Sequence, residues 1–136
     1  MSATTEDPAA KRKLSKATQI LFWVAVESHS LAEQFGIEVE ETDTGKRMKF
    51  LNVPRPWLKP HPANSDELSF DPDEYAKTLY NCSDYTTHMR LWILNVWNSS
   101  YARSQGWHFD LFKALNGLDD GNHRAIAKFL QFPTWP

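Results

Sequence analysis

The chain has 136 residues, of which 41% are hydrophobic and 24% charged, at a net charge of −2. That balance excludes an intrinsically disordered chain, and the length suffices for one real hydrophobic core. The longest apolar run, "ILFWVAV" at 20–26, is too short to cross a bilayer, which takes about 20 residues.

The charges are unevenly placed. Lys11, Arg12, Lys13 and Lys16 form a basic start. No Lys or Arg follows until residue 46, while Glu27, Glu33, Glu38, Glu40, Glu41 and Asp43 accumulate. An acidic middle opposes broad contact with nucleic-acid phosphates and favours a basic partner. The single cysteine, Cys82, allows no internal disulfide and points to a reducing, cytoplasmic setting. The first residues, "MSATTEDPAAKRK", lack the apolar core of a signal peptide.

In chain order, residues 1–7 read as a disordered tail and 8–136 as a single globular domain. Leu14, Ala17, Leu21, Val24, Ser28, Leu31 and Phe35 recur at steps of three and four, which predicts one helix from Pro8 to Gly36, its C-terminal cap. Around "ILFWVAV" that helix is apolar on nearly every side, so its middle should be enclosed. A strand at 20–26 is the alternative, and the flanking periodicity decides against it. Ile37 and Val39 alternate with Glu38 and Glu40, Met48 and Phe50 with Arg47 and Lys49, around "TDTG". A β-hairpin follows, with Glu38 and Glu40 facing Arg47 and Lys49.

Pro54, Pro56, Pro60 and Pro62 predict an extended connector over 54–70 rather than a helix or central strand. No two of them are three apart, so a PxxP recognition peptide is not indicated. Asp71 as N-cap, Pro72 at the first helical position and Glu74 three residues on predict a helix over 71–81. A third helix begins at Ser83 or Asp84 and runs to about residue 102, with Tyr85, Met89, Trp92, Ile93, Val96 and Trp97 inward. A short helix ends at Gly117, with His108 at or just before its N-cap and Asp110 near its start, where a negative charge suits the dipole; its Phe109 and Phe112 must dock elsewhere in the fold. Asp119 or Asp120 caps a last helix, with Ile126, Phe129 and Leu130 inward and Pro133 as its stop. The fold class is therefore mainly α, in the α+β sense: about five helices, one β-hairpin and a proline-rich extended connector.

No coherent chemistry emerges. The histidines, His29, His61, His88, His108 and His123, form two spaced pairs with acids, His88 with Asp84 and His108 with Asp110. Neither brings a third ligand, so no metal site is assigned. Cys82 precedes a helix start, where a thiol pKa can fall, but nothing else marks it as a nucleophile. No phosphate loop or nucleophile elbow occurs, and each carboxylate pair stands where a helix start wants negative charge. No catalytic residue and no cofactor is expected.

The C-terminal third, "LWILNVWNSS…WHFDLFKALNGLDDGNHRAIAKFLQFPTWP", resembles small proteins of bacterial phages, plasmids and integrated elements. That resemblance implies a bacterial intracellular setting and transfers no catalytic residue. With the six tryptophans, it leads to the expectation of a non-enzymatic regulator or inhibitor that binds another protein. Trp57, Tyr101, Trp107 and Trp135 are the candidate protein-binding residues, since hot spots favour Trp, Tyr and Arg. The alternative is a nucleic-acid-binding accessory protein using the basic start with Arg90, Arg103, Arg124 and Lys128. Against it, Asp119 and Asp120 would meet phosphates unfavourably.

Overall fold

Ser15 decides where the first helix starts. In the computed structural model, which describes residues 13–50, 55–81 and 84–136, Lys13–Leu14 is a short strand, β1. The Ser15 N–H donates to the Leu68 carbonyl at 2.8 Å. The Ser15 hydroxyl then caps α1, Lys16–Ala25, by accepting from the Thr18 N–H. It also donates to Thr18 Oγ1 at 2.8 Å, the same oxygen that accepts from the Phe70 N–H at 3.0 Å. One buried cluster thus ends a strand, starts a helix and ties both to a distant segment.

The helix expected to continue to Phe35 breaks at 26–28. Ser28, read as one more position of the apolar stripe, is instead the N-cap of a second helix, α2, His29–Phe35, and accepts from the Leu31 N–H. Gly36 closes α2 in the left-handed region, φ 69°, where a side chain would be strained.

The hairpin forms as read. Strands β2, Ile37–Thr42, and β3, Gly45–Phe50, pair antiparallel, with Glu38 opposite Lys49 and Glu40 opposite Arg47. Ile37 is buried and Met48 packs against the core, while the rest of β2 is exposed. The hairpin is held at its open end and projects outward.

The proline-rich connector is the main correction to the expected architecture. Leu58–His61, β4, and Asn64–Phe70, β5, make a second antiparallel hairpin, and β1 joins β5 in parallel, giving the order β1-β5-β4. Pro60 is accommodated because β4 is an edge strand and the register shifts between Pro60 and His61. The central strand β5 contains no proline at all.

Asp71 caps α3, Pro72–Ala76, by accepting from the N–H groups of Asp73 and Glu74. A 3-10 turn, Lys77–Asn81, follows. The expected helix to residue 102 divides at Asn98 into α4, Asp84–Trp97, and α5, Ser99–Ser104, because the Asn98 side chain caps the second piece. Asp110 caps α6, Leu111–Gly117, and Asp119 caps α7, Asp120–Gln131. The described residues thus hold seven α-helices and two small sheets rather than five helices and one hairpin, still within the α+β class.

The core is a run of rings. Phe22 stacks on Phe35 at 4.9 Å, Phe35 meets Tyr75 edge-on at 5.4 Å, and Tyr75 contacts both Trp57 and Phe70. The Gln34 amide nitrogen donates to Tyr75 Oη, while its oxygen accepts from the Arg90 guanidinium at 3.1 and 3.2 Å. Several residues read as inward face solvent instead. Phe112 and Leu130 are exposed, and so is Trp23, inside the segment expected to be enclosed.

Candidate functional site

The four aromatic residues singled out by composition do not converge. Trp57 is a correction: it is 8% exposed and belongs to the core, wedged against Phe35 and Tyr75. Tyr101 and Trp107 are half-buried and meet edge-on at 5.7 Å. The Tyr101 hydroxyl donates to Asp73 at 2.6 Å, and that carboxylate contact raises the phenol pKa above its ordinary value. This pair fastens α5 to α3. Trp135, 61% exposed, is the one of the four left available to a partner, resting edge-on against Phe129 at 5.1 Å.

The polar residues weighed for chemistry have structural tasks. Asp110 caps α6, and exposed His108 precedes it without joining a cluster. His29 lies 3.4 Å from Asp119, His123 Nε2 is 2.8 Å from the Leu115 carbonyl, and His61 Nδ1 accepts from the Ala63 N–H. His88 Nδ1 is buried without a hydrogen-bond partner among the described residues. Among those residues no group of three or more His, Cys, Asp or Glu gathers as for a metal ion. Cys82 and the Asp84 side chain lie outside the described residues. So do Ser83, Pro54, and Lys11 and Arg12 of the basic start.

Charges are largely matched locally. Burial pulls the Asp71 carboxyl upward, but its bond to Lys59 and the N–H groups of Glu74 and Asp73 outweigh this and hold it below its ordinary value. The Asp71 bond also raises Lys59, and Lys77 lowers Glu74. In the hairpin, every glutamate of β2 after Ile37 has a cation opposite it in β3. Of the cations considered for nucleic acid, Arg90 donates to the Thr78 carbonyl and Lys128 to Glu27.

What the structure does assemble is an apolar groove of about 400 Å³ between α1 and α7. Ile20, Trp23 and Val24 form one wall, and Ala125, Phe129 and Phe132 the other. Glu27 and Lys128 bridge the two helices at 2.5 Å. Each wall repeats at helical steps, so two ridges flank one trough. A more polar depression continues it, where Val26, Glu27 and His29 face Gly121, Arg124 and Lys128. The helices therefore pass each other in opposite directions. Trp23 is 43% and Phe132 74% exposed, and Trp135 extends the patch through Phe129.

Composition-based reasoning missed Ile20, Trp23 and Phe132. The signal was present in "ILFWVAV", whose all-round apolarity demands more cover than the fold supplies. Among the described residues, no helix is long and apolar enough to cross a membrane. No protein-family model matches the chain, and no curated protein or solved structure is significantly similar to it.

Proposed function

We propose that this chain is a non-enzymatic protein-binding regulator or inhibitor that docks a partner protein in the groove between α1 and α7. The observation that carries the reading is the exposure of Trp23 and Phe132 on the walls of one trough, with Trp135 exposed beside them against Phe129. At typical areas for large aromatic side chains, these exposures amount to roughly 400 Å² of apolar surface. That lies within the range of the largest patches on monomers, which are often functional. Burying it offers about 10 kcal/mol gross, which association entropy substantially offsets. A reversible complex is the expected result.

The proposal keeps a protein as partner but shifts the contact from the acidic middle to the aromatic groove. Of the acids that suggested a basic partner, Glu38 and Glu40 stand opposite Lys49 and Arg47 in the hairpin and Glu27 pairs with Lys128. Should the likeness to phage and plasmid proteins reflect origin, host machinery in the cytoplasm is the natural target.

The test is a comparison of immobilised native chain with Phe132→Asp, a change at an exposed site that leaves folding intact. Lysate of the cells that make the protein should leave a stoichiometric protein on the native chain and none on the variant, after nuclease treatment. Equal retention by both, or no retention by either, would overturn the reading.

A further inference from the structure

We propose that the occupant of the groove is an amphipathic helix of the partner protein, carrying a carboxylate about two turns away from its apolar anchors. This deepens the docking reading above and rests on it. Three features of the groove select that chemistry.

First, both walls are side chains of helices, and the trough exposes no strand edge. An extended segment buried there would leave its own N–H and C=O groups unpaired, whereas a helix satisfies them internally. Second, the walls repeat every three to four residues, at Ile20, Trp23 and Val24 and at Ala125, Phe129 and Phe132. Ridges at that spacing accept the ridge of a third helix, and anchors at i, i+3 and i+4 match them. Small residues, Gly121 and Ala125, line the continuation of the trough and permit close approach.

Third, the charges along the trough are asymmetric. Its aromatic end holds no charge. Glu27 and Lys128 neutralise each other at the middle. Beyond them Arg124 is exposed and has no ion-pair partner among the described residues. Arg124 and Phe132 are eight residues apart on or at the end of α7, about 12 Å along the axis. A partner helix lying along α7 with its anchors among Trp23 and Phe132 therefore brings a carboxylate to Arg124 when that carboxylate is seven or eight residues from them. A planar guanidinium suits such a carboxylate in a two-pronged contact. A lipid surface would suit exposed rings and cations as well, but a concave trough flanked by two ridges fits a convex segment better than a flat bilayer.

The experiment uses the full chain and labelled helix-forming peptides of about 18 residues, long enough for appreciable helicity. Each carries leucines at i, i+3 and i+4, and either glutamates or lysines at i+7 and i+8. A second set reverses the chain order, and a third places proline between anchors and charge. Fluorescence anisotropy should show a glutamate peptide of one chain order binding about tenfold or more tightly than its lysine counterpart. Arg124→Glu should invert that preference, and Trp23→Ala should weaken both peptides. Binding that is absent, indifferent to charge, or unaffected by the proline overturns the inference. So does a preference that survives Arg124→Glu, saturable binding to phosphatidylglycerol vesicles abolished by Phe132→Asp, or a dimer in solution that the same variant dissociates. If the lysate partner depends on Phe132 while no peptide binds, the helix falls and the docking site stands. If capture ignores Phe132, the docking site itself falls.

Discussion

Replacing Ser28 by alanine strikes the joint that sets α7 against the first two helices. The Ser28 hydroxyl accepts from the Leu31 N–H at 3.3 Å as the cap of α2, and donates to Asn122 Oδ1 at 2.6 Å. Ser28 is completely buried and Asn122 is 5% exposed. Losing the cap costs about 1 kcal/mol. Stranding a buried amide oxygen costs a further 1–3 kcal/mol or so. Ser28→Ala should therefore destabilise by about 2–4 kcal/mol, a fall in Tm on the order of 10 °C. Asn122→Ala should cost less, because the serine keeps its cap and has Ser30 Oγ at 3.1 Å as another partner. The double variant should fall short of the sum by about 1 kcal/mol, the mark of a direct interaction. Urea denaturation followed by both tryptophan fluorescence and circular dichroism gives all three values. A loss below about 0.5 kcal/mol for Ser28→Ala, or strict additivity, would refute the claim that this bond joins the helices.

The tryptophans should separate sharply in the same assay. Trp57→Ala opens the ring cluster and costs about 3–5 kcal/mol, whereas exposed Trp135→Ala changes stability by less than about 1 kcal/mol. Asp71 has its pKa lowered by folding, so its contribution is complete above the unfolded carboxyl value near 4 and is lost as pH falls through the lower folded value. Asp71→Asn, which still caps α3, should flatten the acid limb of a plot of Tm against pH. Gly36→Ala, at φ 69°, should destabilise by about 1–2 kcal/mol in thermal melts. Phe132→Ser should leave the melting curve in place and reduce binding of a hydrophobic dye such as ANS.

Sequence signals that act within one turn of chain were the readable ones. Asp71 with Pro72, the Asp119–Asp120 pair and Gly36 each mark a helix end through their own backbone neighbours, with Asp119 as the cap of its pair, whereas the cap expected at or before His108 is Asp110 itself. The β2–β3 register was equally local, because a short turn fixes which charges face each other. The breaks at Ser28 and Asn98 were hidden by the stripe that surrounds them. Val24 to Leu31 and Trp97 to Tyr101 keep helical spacing across the interruption, so periodicity cannot register a serine or asparagine acting as a cap. The β4–β5 hairpin was obscured for a different reason. Pro60 forbids a central strand but permits an edge, and which strand is at the edge depends on β1 pairing with Glu67 and Leu68 from more than fifty residues away. Of the site, Trp135 was legible as an aromatic near a terminus. The groove was not, since it requires knowing that α1 and α7 are neighbours.

The groove nevertheless has a sequence cause. A helix in the interior needs apolar residues all round, and one at the surface needs a single stripe. The segment "ILFWVAV" is written for the first case and placed in the second: Leu21, Phe22 and Ala25 are fully covered, while Trp23 is not. On α7 the inward positions Ile126 and Phe129 are buried, yet Leu130 and Phe132 add rings and methyl groups beyond what the core uses. Such residues contribute little to folding and lower solubility, so folding alone does not account for them. Trp23 and Phe132 border a trough that runs on to Arg124, which has no ion-pair partner among the described residues. The exposed rings and the uncommitted Arg124 guanidinium thus lie along one line, and a helix with an apolar end and a carboxylate two turns on is the simplest object that satisfies both.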